Sequence, residues 1–107
     1  MLSINVLAVY MPIVISPAIC AKLLSKHQVK PEEVEQCFAN RNGEYIEEVR
    51  QEHQTNPPTW WFIAETHYGR KLKVVFVHDN GNNYIRSAFP PNEATIKNYI
   101  KNGGRTI

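Results

Sequence analysis

Aspartate is almost missing from this chain: Asp79 is the only one, and cysteine occurs only at Cys20 and Cys37. Neither cysteine belongs to a CxxC pair, and His27, His53, His67 and His78 lack ligand spacing with one another or with the cysteines, so no metal and no other cofactor is expected. The two thiols are read as buried and reduced, because a single disulfide needs an oxidising compartment that nothing else in the sequence supports. Lys and Arg are absent from the first twenty residues, which are interrupted by Pro12 and Pro17. That stretch therefore has no basic n-region for a signal peptide, places Ile19 rather than a small residue before Cys20, and is too short and broken to span a bilayer. A cytoplasmic protein with no membrane partner is the expectation. Met11 offers an alternative start, with Met1–Tyr10 then a strand-like or disordered extension. Repeats and low-complexity segments are also lacking.

With 107 residues, the chain holds one domain with a single two-layer core. Its formal net charge of +2 is unevenly spread. Residues 1–43 carry four Lys/Arg against three Glu, residues 44–58 one against four, and residues 59–107 seven against three Asp/Glu. The basic excess thus falls on the second half, a bias compatible with nucleic acid but far from the basicity of a dedicated binder.

Three strand-like runs dominate that half: WWFIAET, KLKVVFVH and YIRSAF, joined by His67-Tyr68-Gly69 and Asn80-Gly81. The first joint suits a type I turn with a glycine bulge and the second a type I′ turn. In that register Glu65 faces Lys71, Phe62 faces Val74, Phe76 faces Ile85 and Val75 faces Arg86. Alternation then gathers Trp60, Phe62, Ala64, Leu72, Val74, Phe76, Ile85, Ser87 and Phe89 on a core face. The opposite face collects Trp61, Ile63, Glu65, Lys71, Lys73, Val75, Tyr84 and Arg86, cationic at one end and aromatic at the other.

Around these strands, Ser16-Pro17 starts a helix that ends near His27-Gln28, and Pro31 starts a second that Asn40–Gly43 closes. Asn92 caps a last helix with Ile96, Tyr99 and Ile100 on one side. Residues 44–59 have weak periodicity, hold at most a short edge strand at Tyr45-Ile46, and end in Pro57-Pro58, which no central strand tolerates. The expected class is α+β, with a three- to four-stranded antiparallel sheet and the two N-terminal helices and the C-terminal helix on one face. The expected organisation is an extension or edge strand over 1–15, the domain over 16–102, and a flexible tail over 103–107.

KHQVKPEEVEQCF (Lys26 to Phe38), WFIAETHYGRKLKVVFVH (Trp61 to His78) and IRSAF (Ile85 to Phe89), in that order, resemble the BrnT-type toxins, members of the RelE-like ribonuclease toxins. That family carries a KHGVS-EEA-F helix pair, a W-x-A-x-G hairpin continuing as GR-x-L-x-VV, and an IRIISAR strand before a final helix. The resemblance spans roughly residues 16–101 and implies metal-independent RNA cleavage on the exposed sheet face, with RNA and an antitoxin protein as partners. In such chemistry the substrate's own 2′-hydroxyl attacks, basic side chains stabilise the phosphorane, and a His, Lys or Glu moves protons. Gln28 stands where the family has glycine, Phe89 where it has arginine, and the 44–59 connection is longer. Hydrolysis of ADP-ribosyl groups, which uses a dinuclear metal site built from several Asp and Glu, finds no counterpart here.

The candidate catalytic residues are Glu65, Lys71, Lys73, Arg86 and His53, with Arg50, Trp61 and Tyr84 as nucleic-acid-binding candidates. Each has a plainer alternative. Glu65 opposite Lys71 reads equally as a cross-strand ion pair or as a general base near Arg86. His53, with Arg50 and Glu52, is either a cluster delivered over the sheet by the long connection or a solvated loop. His67 and His78 read as turn residues. Trp61 and Tyr84 either stack on bases or pack against a partner or a second copy of the chain in a homo-oligomer.

Overall fold

The computed structural model describes residues 12–103; Met1–Tyr10 and the end of the tail lie outside the described residues. Among the described residues, five strands and three helices follow one another in the order β1 (Ile13–Val14), α1 (Pro17–His27), α2 (Pro31–Ala39), β2 (Ile46–Glu47), β3 (Thr59–Glu65), β4 (Lys71–Asp79), β5 (Asn82–Phe89) and α3 (Glu93–Lys101). They build one sheet in the order β1-β5-β4-β3-β2. The class is α+β. The sheet is five-stranded and mixed rather than three- to four-stranded and antiparallel, because β1 lies parallel to β5, with Ile13 opposite Asn83. β1 falls inside the stretch read as an extension or edge strand.

Local chemistry sets the element ends. Ser16 Oγ accepts the Ile19 N–H at 3.2 Å and Asn92 Oδ1 accepts the Thr95 N–H at 2.8 Å, each satisfying a donor that a helix start leaves free. The Lys30 N–H donates to Glu33 Oε1 at 3.0 Å at the head of α2. Both hairpins follow their turn residues: Gly69 has φ +83°, and Asn80 and Gly81 have φ +53° and +83°. With these turns in place, Glu65 lies opposite Lys71, Phe62 opposite Val74 and Phe76 opposite Ile85.

The register departs from the expected one past Ile85. Val75 pairs with Ser87, not Arg86, so Arg86 is the extra residue of a β-bulge. Beyond it the alternation is inverted: Ala88 is fully buried opposite Val74, and Ser87 and Phe89 lie on the other face, opposite Val75 and Lys73. A strand read in one phase puts Phe89 into the core; the inserted residue removes it.

The helices occupy two faces rather than one. On the first, α2 sets Phe38 edge-on against Phe62 at 4.8 Å and Phe76 at 5.4 Å, with Tyr45 against the same rings at 5.5 and 5.1 Å. Cys37 Sγ reaches the Ala64 carbonyl at 3.6 Å, and burial, with Glu33 adding to it, pushes the thiol up to about 12. Both cysteines are free; Cys37 is buried and Cys20 half-buried. Leu23 and Val29 are fully buried in the one hydrophobic cluster that also takes in Trp61, Ile63 and Tyr99. On the second face α3 lays Tyr99, fully buried, against Trp61 at 5.6 Å, and the Tyr99 hydroxyl donates to the Glu44 carbonyl at 2.8 Å. Trp61 and Ile63, expected on an open face, are therefore 5% and 1% exposed. Ile100, expected beside Tyr99, is 41% exposed.

Gln28 ends α1 in the left-handed conformation, φ 53° and ψ 43°, with Gln28 N–H donating to the Leu24 carbonyl and Val29 N–H to that of Leu23. Glycine occupies such a position at no steric cost. Gln28→Gly is therefore expected to raise stability by about 0.5–1 kcal/mol, the left-handed strain relieved outweighing the freedom added to the unfolded chain. A urea midpoint at or below the wild-type value contradicts this.

Candidate functional site

The connection between β2 and β3, unassignable from its sequence, folds across the second sheet face beside α1. Glu48 N–H donates to the Thr59 carbonyl at 2.8 Å, extending the β2–β3 pairing by one bond. The Glu48 carboxylate then clamps Arg50, accepting from its backbone N–H at 3.0 Å, from Nε at 3.1 Å and from Nη2 at 2.9 Å. Gln51–His53 form a 3-10 turn, with the His53 N–H on the Arg50 carbonyl, and Thr55 Oγ1 meets Thr59 Oγ1 at 2.6 Å. These local bonds hold the charged segment against the sheet despite its weak periodicity.

Beneath it lies a cavity of about 460 Å³. Arg50 and His53 line it from the connection, Lys73 from β4, Arg86 from the bulge of β5, and Lys22 from α1. Thr59, Ser87 and Phe89 supply polar and apolar floor. Glu48 is the one carboxylate among the lining residues, and it is committed to Arg50. The bulge brings Arg86 and Ser87, adjacent in sequence, to the same wall.

The charges differ in setting. The Arg50 hydrogen bonds hold the Glu48 carboxyl down to about 2, and Glu48 in turn raises the Arg50 guanidinium above its ordinary value. Lys73 is half-buried: its Nζ stands 4.4 Å over the Trp61 ring and 5.9 Å from that of Phe89. Burial lowers its proton affinity, the Arg50 charge adds to this, and Glu48 opposes both. Because the folded-state value of Glu48 is depressed, its contribution to stability is present above the ordinary carboxylate range and is lost as pH falls toward 2. Arg50 is well exposed and screened, so that contribution is about 1 kcal/mol. The stability gap between the wild type and Glu48→Gln is expected to close as urea unfolding is followed from neutral pH toward pH 2, and a pH-independent gap rules this out.

Of the residues singled out in the sequence, Lys73, Arg86, His53 and Arg50 converge on this cavity. Glu65 and Lys71 do not. They face each other at the turn end of the β3–β4 hairpin without closing an ion pair, about 13 Å along the sheet from the level of Val75 and the bulge, which removes Glu65 as a base beside Arg86. His67 is tied to the α2 end, its Nδ1 3.1 Å from Asn40 Nδ2 and its N–H on Gln36 Oε1 at 3.0 Å. Trp61 cannot stack on a base, since it is buried, with the Tyr99 ring packed against it and Lys73 Nζ over its face. Tyr84 stands away from the cavity, paired with Val14 and Val77, and its hydroxyl accepts from Asn82 Nδ2 at 3.2 Å. Glu48 and Lys22 were missed; one lay in a charge-rich run, and the other fell outside the apolar stripe of its helix.

The sequence matches no family model, and no curated protein matches it either. The site's own chemistry therefore has to suggest its ligand. Four cations around one committed carboxylate suit an anion. Among the described residues no three His, Cys, Asp or Glu side chains are grouped to hold a metal ion, and no helix is long and apolar enough to cross a membrane.

Proposed function

We propose that this protein is a divergent relative of the BrnT-type toxins that cleaves RNA without a metal, using the cavity around Lys73. The observation that supports the reading is the convergence of Lys22, Arg50, Lys73 and Arg86 with His53 in one cavity, drawn from four separate parts of the chain. Surface charges scattered for solubility have no reason to converge in this way.

In this reading Lys73 and Arg86 hold the non-bridging oxygens of one phosphate, where negative charge grows in the transition state. His53 takes the proton from the adjacent 2′-hydroxyl, whose oxygen forms a bond to phosphorus as the bond to the 5′-oxygen breaks. The Lys73 ammonium, made a better acid by its burial, delivers a proton to the departing 5′-oxygen. The products are a 2′,3′-cyclic phosphate and a 5′-hydroxyl. Glu48 is too weak a base for this work and instead fixes Arg50. Phe89, at the family's arginine position, forms part of the wall, and Lys22 and Arg50 replace the lost cation. The silencing partner such a toxin requires is an antitoxin protein that brings carboxylates to the same cavity.

The test is incubation of the purified protein with single-stranded RNA in the presence of a chelator. Fragments ending in cyclic phosphate are expected, and an otherwise identical strand with 2′-deoxyribose throughout stays intact. Binding without cleavage supports a second reading, a non-catalytic RNA-binding module, favoured by the exposed position of His53 on a three-residue turn. Absence of both binding and cleavage overturns the proposal.

A further inference from the structure

A second cavity, about 560 Å³, lies on the other side of Lys73, between the β2 end of the connection and α3. It shares Glu48, Arg50 and Lys73 with the first, so the two are lobes of one depression divided by those three side chains. Their chemistry differs. In the lobe beside α1, Lys22 and Arg86 add positive charge. In the lobe beside α3 the only further charge is Glu47, which leaves its lining charges balanced and unsuited to a second phosphate. What that lobe offers instead is an apolar wall and neutral hydrogen-bonding groups. Val49 on its rim is 71% exposed, the most uncovered aliphatic side chain among the large hydrophobics described.

The amides there are oriented by each other. Asn102 Nδ2 donates to the Asn98 carbonyl at 2.8 Å and to Asn98 Oδ1. Both hydrogens of the Asn102 amide are thereby used, and one lone pair of Asn98 Oδ1. Among the described residues this leaves the Asn98 NH₂ group as a donor and Asn102 Oδ1 as an acceptor at the C-terminal end of α3, with the Thr95 hydroxyl one turn earlier. A flat, uncharged group with apolar faces and a donor and acceptor on its edge fits this lining. A nucleobase has those properties, and paired donor–acceptor contact by asparagine is a recurrent way of reading one.

We propose that the lobe beside α3 is a nucleobase subsite, in which Asn98, Asn102 and Thr95 engage the edge of a base while Val49 covers its face, next to the phosphate held at Lys73. This rests on the RNA reading of the first lobe and gives it a sequence-sensing arm. These are binding residues for the base rather than catalytic ones, since none is placed at the phosphate.

The experiment compares two probes of equal length by fluorescence anisotropy: a 2′-O-methyl oligoribonucleotide, which cannot be cleaved, and an abasic ribose-phosphate chain. The wild type is expected to bind the base-bearing strand more tightly. The double change Asn98→Ala with Asn102→Ala is expected to weaken that strand about tenfold and leave the abasic chain unaffected, in keeping with the loss of one paired base contact. Because Asn102 also ends α3, Thr95→Val serves as a second variant that keeps the shape of the helix surface, with a smaller loss in the same direction. Lys73→Met is expected to weaken both probes. Equal binding of the two probes by the wild type, or asparagine and threonine variants that match it, overturns the base subsite while Lys73-dependent binding keeps the phosphate reading. If neither probe binds, the phosphate reading falls, and the subsite with it.

Discussion

Replacing Arg70 with alanine is expected to cost about 2–3 kcal/mol, a large part of the 5–15 kcal/mol that holds a small domain together. Arg70 sits at the end of the His67–Gly69 turn and its guanidinium reaches three residues in two other elements. Nη1 donates to the Gln28 carbonyl at 2.8 Å and pairs with Glu33 at 3.2 Å, and Nη2 donates to the His27 carbonyl at 2.9 Å. Those carbonyls belong to the end of α1, where backbone acceptors have no partner inside the helix and a cation is favoured. Glu33 lies in the first turn of α2. Truncation leaves the two carbonyls and the carboxylate short of a partner in a half-buried place, and that desolvation, rather than the loss of attraction, dominates the expected cost. Arg70→Lys is expected to recover less than half of it, since an ammonium cannot replace a planar fork that serves several acceptors at once. Urea unfolding checks both values, and an alanine variant within 0.5 kcal/mol of wild type shows that the contacts are incidental.

Lys73→Met is the second, with an expected loss of cleavage rate of about 10²–10³-fold, the scale on which removal of one preorganised group at a developing charge is felt. Methionine keeps an unbranched apolar stem to lie against Trp61, so the cavity wall is preserved. Stability is expected to hold or rise. Burial lowers the proton affinity of Lys73, which means the folded state disfavours its charge, and taking the charge away relieves that penalty. Slower cleavage in the proposed RNA reaction, with melting at the same or a higher temperature, is the combined signature; cleavage that survives removes Lys73 from the proposed chemistry. Arg86→Ala, at an exposed position, is expected to reduce cleavage with little effect on melting.

How far this could be read from residues alone depended on whether the signal was local. Ser16-Pro17, Asn92 and Asn80-Gly81 are self-contained devices, a cap or a turn whose chemistry is complete within four residues, and the structure uses each as expected. β1 has only two residues and takes its partner from the far end of the chain, so residues 1–15 could be read as an extension or edge strand but not assigned a partner. The face chosen by α3 was hidden because an amphipathic helix shows which side it buries but not against which side of a sheet. One signal was present and underused: Trp60 to Ala64 is an unbroken apolar run, the pattern of a strand covered on both faces, and it pointed to the burial of Trp61 and Ile63. For the site, residue types on β4 and β5 were legible. Glu48 was not, since a carboxylate that orients an arginine looks, in a charged segment, like any other acid.

The extra residue in β5 works as a phase shifter. Ahead of it the strand's side chains keep step with β4, and behind it they run half a period later, so one strand presents Ile85 inward, two consecutive residues outward, and Ala88 inward again. A strand that kept every residue but ran straight through would turn Ser87 and Phe89 toward the α2 side and Ala88 toward the cavity. A strand shortened by Arg86 would instead keep Ser87 opposite Val75 and Ala88 opposite Val74, and would lose only the kink and the cation. The added residue thus places a charge at the cavity without changing which side chains the core receives.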